Sequence, residues 1–248
     1  MNITNKTALI TGGGSGIGFQ IAKLLSQKGN RVIITGRSED RLQKAADQLQ
    51  NVSYIVADVT SIADTNKLVE EVNSKYGELD ILINNAGRAT VYKLGKEANA
   101  TDKAAEEMET NYFSAIRLTE KLLPLLEKSK EAAIVNVTSI VAFAPGINMP
   151  TYAASKAALH SYTRILRFTL ARATTIKVFE LMPPLVDTEL SAAIGGANGI
   201  PPEEVAEGLI KGFEDDEYEL HIGVTANIYK LYLSSPEEAL RTLNKGRE

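Results

Sequence analysis

Thr7-Ala-Leu-Ile-Thr-Gly-Gly-Gly-Ser-Gly-Ile-Gly18 is the stretch from which the fold is inferred. Its first residues, Thr7–Ile10, form a short apolar run closed by glycines, which is typical of a buried strand. After the glycines, Phe19–Lys28 has the apolar periodicity of a helix. Glycines let a backbone approach phosphates closely, and a helix N-terminus offers free N–H groups. This order of elements predicts a site for a dinucleotide pyrophosphate, whereas glycines alone would indicate only a flexible turn.

Arg37 follows the second predicted strand, Arg31–Thr35. A protein that binds NAD usually ends this strand with an acid that contacts the ribose hydroxyls, but here Gly36 and Arg37 follow it. An acid would repel a 2′-phosphate, whereas the planar guanidinium of arginine can pair with one. We therefore expect NADP(H) rather than NAD, with a solvated or capping Arg37 as the alternative. Glu39 and Asp40 fit the first turn of the next helix.

The rest of the chain alternates strands with helices. The predicted strands are Ser53–Ala57, Leu79–Ile83, Ala132–Val137, Ile176–Leu181 and an edge strand Glu219–Ile222. The predicted helices are Ser61–Tyr76, Thr101–Lys128, Tyr152–Ala173, Pro201–Phe213 and Ala226–Asn244, the last broken near Pro236. This alternation predicts an α/β, three-layer, doubly wound (Rossmann) fold with a mainly parallel, seven-stranded sheet. We expect one domain over residues 1–248, with a substrate-loop or lid region at 185–215.

Polar residues follow several of these strands. The glycine turn, Arg37, Asp58 and Asn84-Asn-Ala-Gly87 all fall at predicted strand ends. Ligands bind at the carboxyl ends of the strands in open parallel sheets. Ser139 also follows a strand and so belongs to the same edge.

Tyr152 and Lys156 stand four residues apart on a predicted helix, so they share one face. A free phenol has a pKa of about 10, and a nearby ammonium lowers that pKa. A proton-transfer catalyst needs a pKa near the working pH. The pair predicts an acid/base tyrosine activated by lysine, although the same spacing also occurs by chance on amphipathic helices.

Two further features have two interpretations each. Asn111 lies in the middle of a predicted helix, where asparagine is unfavourable, so it either points into a site or faces water. The glycine-rich segment Ser191–Ile200 is either a mobile lid or an ordinary loop.

The composition excludes several other functions. A net charge of −4 argues against nucleic acid as the main partner. The absence of cysteine removes thiolate catalysis, and His160 and His221 lack a metal-ligand spacing, so we expect both to be structural or surface residues and expect no metal. No apolar run approaches the length of a membrane span, and the N-terminus lacks an apolar signal core. We expect a cytoplasmic protein without a membrane partner.

These motifs, with Pro183 and Thr188, together resemble the short-chain dehydrogenase/reductase family over nearly the whole chain. The resemblance implies a Rossmann-type domain that carries both the cofactor and a catalytic tetrad of Asn111, Ser139, Tyr152 and Lys156. It also implies a cofactor site formed by Gly12, Ser15, Gly16, Ile17, Gly18, Arg37, Asp58, Val59, Asn84, Ala86, Gly87, Tyr152, Lys156, Pro183, Val186 and Thr188. By the same resemblance the long helices Thr101–Lys128 and Tyr152–Ala173 pair between subunits in a homodimer or homotetramer.

The segment Met182-Pro-Pro-Leu-Val-Asp-Thr188 differs from the family pattern, because Pro184 stands where the usual glycine would be. In this respect the chain looks like the DltE-type bacterial members, which fixes no substrate. Arg88 is placed either to hold an anionic substrate group or to face solvent or cofactor.

The function expected from these features is an NADP(H)-dependent oxidoreductase that interconverts a carbonyl and a secondary alcohol of a small molecule. An NAD-linked alcohol dehydrogenase is one alternative. A non-catalytic regulator that senses NADP(H) is the other, since such a protein needs the glycine turn but not the tetrad.

Overall fold

The computed structural model describes residues 1–246, in which seven parallel strands form one sheet. The strands are β1 (Thr7–Thr11), β2 (Arg31–Gly36), β3 (Val52–Val56), β4 (Ile81–Asn84), β5 (Ala133–Val137), β6 (Lys177–Met182) and β7 (Glu219–His221). Their order is β3-β2-β1-β4-β5-β6-β7, and every neighbouring pair is parallel. The predicted fold class is confirmed, and the sheet is parallel throughout.

Helices cover both faces of the sheet. They are α1 (Gly16–Gln27), α2 (Glu39–Ala46), α3 (Ile62–Tyr76), α4 (Ala100–Met108), α5 (Ser114–Leu126), α6 (Pro150–Ala173), α7 (Pro202–Asp215), α8 (Thr225–Ser234) and α9 (Pro236–Asn244). The predicted break at Pro236 is present. Within residues 1–246, none of the helices combines the length and the apolar character needed to cross a bilayer.

Side chains alternate between two apolar layers along each strand. Ile10 and Ile34 pack with α1, α2 and α7, whereas Leu9 and Ile33 pack with α3, α5 and α6. Because both faces are covered, strands such as β1 are buried at every position. This explains why they read in the sequence as continuous apolar runs.

The prediction of one helix over Thr101–Lys128 was wrong in its middle. A π-helical turn, Glu109–Phe113, separates α4 from α5. The turn contains Asn111, which is buried and bonds to groups outside the helix. A π-turn of this kind often marks a functional position.

His160 and His221 have structural surroundings, as predicted. Nδ1 of His160 lies 2.8 Å from Oε1 of Glu180, which is buried and also accepts a hydrogen bond from Thr138. The His221 ring stacks on Tyr229 at 4.2 Å between centroids, and burial lowers the pKa of His221.

Candidate active site

A cleft of about 750 Å³ opens where β1, β2, β3, β4 and β5 end. Thirteen of the predicted site residues line it: Gly12, Ser15, Gly16, Ile17, Arg37, Asp58, Val59, Ala86, Gly87, Tyr152, Lys156, Pro183 and Thr188. They come from six separate parts of the chain, so the fold brings together what the sequence presents only as separate motifs.

Most of the other predicted residues lie behind the wall of the cleft. Gly18 and Asn111 are packed beneath it, and Val186 belongs to the apolar core. Ser139 is also largely buried, but its hydroxyl lies beside Tyr152, which lines the cleft. The Asn84 side chain is turned away: its Nδ2 donates to Oδ1 of Asn136 at 2.8 Å, which ties β4 to β5. Asn85, which the prediction passed over, lines the cleft instead.

The glycine turn is shaped by close backbone approach. Gly12 has φ +66°, a conformation that favours glycine, and its N–H donates to the Thr35 carbonyl at 2.8 Å. A Cβ on Gly18 would lie 2.4 Å from the Gly12 carbonyl oxygen. Only glycine at position 18 lets α1 begin this close to the turn.

Thr11 and Asn85 lock the glycine turn to the turn after β4. The Thr11 hydroxyl oxygen accepts hydrogen bonds from the N–H groups of Asn85 and Ala86, both at 2.9 Å. In return, Asn85 Nδ2 donates to the carbonyls of Thr11 and Gly12 at 2.9 and 3.2 Å. These reciprocal bonds fix the two turns that border the cleft.

The start of α1 suits an anion. Its N-cap, Ser15, makes no side-chain capping bond, and no acidic residue lies in the first turn. By contrast, Ser61 caps α3 by accepting a bond from the Asp64 N–H. Among the described residues, the N–H groups of this first turn and the Ser15 hydroxyl have no hydrogen-bond partner. They can therefore receive a pyrophosphate, so these residues fit a dinucleotide cofactor.

The start of α2, beside Arg37, differs from that of α1 because Glu39 and Asp40 lie in its first turn. Arg37 and Ser38 are exposed and line the cleft, and Ser38, the N-cap of α2, makes no side-chain capping bond. These groups can hold a phosphate on the adenosine ribose. Asp58 stands across the cleft, where its Oδ1 accepts from the N–H and hydroxyl of Thr60 at 2.9 and 2.7 Å.

Tyr152 and Lys156 share one face of α6, but their pKa values differ from the prediction that lysine would lower the tyrosine pKa. Burial raises the pKa of Tyr152 to about 12, and the Ser139 hydroxyl acts in the opposite direction. Burial lowers the pKa of Lys156 to about 8. Lys156 Nζ donates to the Val137 carbonyl at 2.8 Å and lies 5.7 Å from the Tyr152 ring centroid. At this separation the loss of hydration outweighs the attraction between ammonium and phenolate.

Asn111 points into the protein and not into water. Its Oδ1 accepts the Arg88 N–H at 2.8 Å, and its Nδ2 donates to the Arg88 carbonyl and to Ser155 Oγ, each at 2.8 Å. Ser155 in turn donates to the Tyr152 carbonyl at 2.7 Å. Asn111 thus connects the segment after β4 to the first turns of α6.

Glu107 is a buried carboxylate that the sequence analysis missed. Its Oε1 accepts the Thr90 N–H at 2.6 Å, and its Oε2 has no partner among the described residues. Its negative charge adds to the rise in the Tyr152 pKa. The sequence carries no signal for this role, because adjacent glutamates on a helix usually face solvent.

Three loops surround the end of the cleft near Tyr152. The first follows β4, the second follows β5 and the third follows β6. Arg88 forms an ion pair with Glu106, so its guanidinium has a partner within the chain. Tyr92 joins two loops, because its N–H donates to the Asn148 carbonyl at 2.9 Å and its hydroxyl to Thr151 at 3.0 Å. The segment after β6 is closed at its base by the bond from the Asp187 N–H to the Ile200 carbonyl, at 2.9 Å.

A family model described as short chain dehydrogenase matches residues 6–198. The chain is 40% identical over 227 residues to the uncharacterised oxidoreductase DltE of Bacillus subtilis (strain 168), with 89% of each chain covered.

Two solved structures share the fold. A short chain dehydrogenase from Burkholderia cenocepacia J2315, in complex with NADP, has a TM-score of 0.85 and 28% identity, with 98% of each chain covered. A short chain dehydrogenase/reductase from Burkholderia phymatum, in complex with NAD, has a TM-score of 0.87 and 21% identity, with 96% of each chain covered.

Proposed function

The chain belongs to the short-chain dehydrogenase/reductase family of oxidoreductases, and on that premise we propose that it uses NADP(H) to interconvert a carbonyl and a secondary alcohol. One observation carries the proposal. A single cleft joins the glycine turn and Arg37 to the pair Tyr152 and Lys156. We place the cofactor and catalytic residues in one domain on this ground.

We assign proton transfer to Tyr152. In the reduction direction the nicotinamide cofactor supplies a hydride to the carbonyl carbon. Tyr152 donates a hydrogen bond and then a proton to the carbonyl oxygen, and its raised pKa keeps the phenol protonated at neutral pH. Ser139 donates a second hydrogen bond to that oxygen as negative charge develops. In oxidation Tyr152 takes the alcohol proton.

Lys156 and Asn111 support this transfer. The Lys156 ammonium, held by the Val137 carbonyl, stabilises the phenolate that remains after Tyr152 gives up its proton. By family resemblance we also assign Lys156 a bond to the nicotinamide ribose, and Asn111 a water in a proton relay. Both N–H groups of the Asn111 amide are already used, so that water can bind only at the remaining lone pair of Oδ1 or at main-chain groups.

We propose a substrate with an apolar body. Each of the three surrounding loops exposes apolar side chains: Val91 and Leu94 in the first, Ile147 in the second and Leu190 in the third. Leu190 also lines the cleft. An anionic substrate group that pairs with Arg88 is the alternative, because the exposed Arg88–Glu106 ion pair contributes little free energy and could give up the guanidinium.

Titration with NADPH and NADH at one ionic strength tests the cofactor assignment. We expect the wild-type protein to prefer NADPH, and Arg37→Ala to weaken NADPH binding roughly tenfold with little change for NADH, as expected for a charge-assisted bond of about 1.5 kcal/mol. Equal losses for both cofactors would remove the 2′-phosphate argument. A preference for NADH would favour the NAD-linked alcohol dehydrogenase, and binding without turnover of any carbonyl or alcohol would favour the regulator.

A further inference from the structure

Arg41 and Glu189 form an ion pair across the mouth of the cleft. Nη1 of Arg41 lies 2.8 Å from Oε2 of Glu189, and Nη2 lies 3.4 Å from Oε1, so the guanidinium meets both carboxylate oxygens. Arg41 belongs to α2, which follows β2, whereas Glu189 opens a 3₁₀ turn after β6. Since β2 and β6 lie near opposite edges of the sheet, the pair joins two distant parts of the cleft wall.

The Arg41 side chain lies beside the groups that suit a ribose phosphate. It stands one turn after Arg37 and Ser38, and its Cγ is 3.3 Å from the place of a Cβ on Gly14. A second hollow, of about 350 Å³, is lined by Gly14, Ser15, Ser38, Asp40, Arg41 and Lys44, among others. Arg41 also lines the main cleft together with Arg37 and Ser38, so its side chain borders the same end of the cleft.

We infer that Arg41 is a second ligand of the 2′-phosphate of NADP(H), and that Glu189 competes with the phosphate for it. The inference rests on the proposed function. Both partners of the ion pair are more than half exposed, with 52% and 72% of their side-chain surface accessible, and exposed pairs of this kind contribute little free energy. A phosphate monoester carries a charge of about −1.5 to −2 at pH 7, which attracts a guanidinium more strongly than one carboxylate does.

This competition distinguishes the two cofactors. NADP(H) would draw Arg41 from Glu189, whereas NAD(H), which lacks the 2′-phosphate, would leave the ion pair intact. Glu189 therefore lowers the affinity for NADP(H) without changing that for NAD(H).

Cofactor binding by four proteins tests the inference: wild type, Arg41→Ala, Glu189→Gln and the double variant. The dissociation constants for NADPH and NADH are measured by nicotinamide fluorescence at one ionic strength. We expect Arg41→Ala to raise the NADPH constant roughly tenfold and the NADH constant less than about twofold, since one charge-assisted bond is lost. We expect Glu189→Gln to lower the NADPH constant by about two- to threefold, and this gain to disappear in the double variant.

Lys67→Ala, on the exposed side of α3, is the control, because it removes one positive charge at a residue that lines neither cavity. A loss of NADPH affinity equal to that of Arg41→Ala would mean that only the general positive field matters, and would overturn the inference. So would a Glu189→Gln gain that persists in the double variant.

The same data separate this inference from the proposed function. If the wild-type protein prefers NADPH and Arg41→Ala keeps that preference in full, the role of Arg41 is wrong and the cofactor assignment stands. If the wild-type protein prefers NADH, both are wrong.

Discussion

Tyr152 and Lys156 show how burial acts on opposite charge types. Removing water disfavours the phenolate and the ammonium alike, so it raises the pKa of Tyr152 to about 12 and lowers that of Lys156 to about 8. At neutral pH both groups carry their proton, and Tyr152 is ready to donate one. The negative charge of nearby Glu107 raises the pKa of Tyr152 further.

Tyr152→Phe should remove the proton donor while keeping the ring. We expect kcat for carbonyl reduction to fall at least about a hundredfold, the usual contribution of a general acid, with the NADPH dissociation constant nearly unchanged. Tyr162→Phe makes the same chemical change further along α6 and should retain wild-type turnover. Equal activity of Tyr152→Phe and wild type would show that another group supplies the proton.

Lys156 should make stability depend on pH in a defined window. Between pH 8 and about 10.5 Lys156 is deprotonated in the folded chain but still protonated in the unfolded chain. The contribution of Lys156 to the free energy of unfolding therefore rises with pH in this range. Relative to Lys156→Met, the free energy of unfolding of the wild type should rise by about 2 kcal/mol between pH 7 and pH 9.5. Urea unfolding of both proteins at the two pH values measures this.

Lys121→Met, on the exposed side of α5, is the control for that comparison. The free energies of unfolding of Lys121→Met and the wild type should differ by the same amount at pH 7 and at pH 9.5. The upper limit of pH 9.5 avoids Tyr152, whose raised pKa makes an opposite contribution above about pH 10. If the free energy of unfolding of the wild type and that of Lys156→Met differed by the same amount at both pH values, Lys156 would be as well hydrated as an exposed lysine.

At the scale of elements, the central strands could be predicted because both of their faces are buried. Runs such as Ala133–Val137 are apolar almost throughout, and their ends are marked by the polar residues that line the cleft. These signals are local in the chain. The fold class follows from them because alternating strands and helices leave few topologies.

The rest of the site could not be predicted because it depends on contacts between distant residues. The π-turn at Asn111 is fixed by bonds to Arg88, and Glu107 is buried against the Thr90 N–H. Glu189 meets Arg41 across 148 residues of sequence. The residues next to each of these side chains in the sequence do not indicate its partner.

The start of α1 gives a prediction about packing. In Gly18→Ala the new Cβ would meet the Gly12 carbonyl oxygen at 2.4 Å and Asn85 Nδ2 at 2.5 Å, so the turn or the helix must move. We expect the free energy of unfolding to fall by about 1–3 kcal/mol, with weaker NADPH binding. Urea unfolding and cofactor titration measure the two effects.

Gly36→Ala provides the comparison for Gly18→Ala. Its Cβ would meet only the Leu42 side chain, at 3.6 Å, which is an ordinary contact. It should change the free energy of unfolding by less than about 0.5 kcal/mol. If the two alanine variants were equally stable, the close approach at Gly18 would not constrain the turn.

At the scale of the whole molecule, the strand order explains where the cleft lies. The chain runs outward from β1 to β3 and then returns to β4 on the other side of β1. This reversal separates the turns after β1 and β4, and an open parallel sheet binds its ligand at such a point. The locked turns at Thr11 and Asn85 stand at this position.

The outer face of α6 carries apolar side chains that the single chain does not cover. Ile165 and Phe168 are 57% and 63% exposed and lie three residues apart, so they form one patch on the helix that also carries Tyr152 and Lys156. Exposed apolar surface of this kind is typical of a protein interface. The expected pairing of this long helix between subunits would cover it.

Phe168→Glu should therefore weaken self-association. We expect the wild-type protein to sediment as a dimer or tetramer at micromolar concentration, and Phe168→Glu to sediment as a smaller species, because a charge buried at the interface would lose its hydration. Leu233→Glu, which changes a 67% exposed leucine on α8, should keep the wild-type assembly. A monomeric wild type would contradict the expected oligomer itself. Dissociation caused only by Leu233→Glu would instead move the interface from α6 to α8.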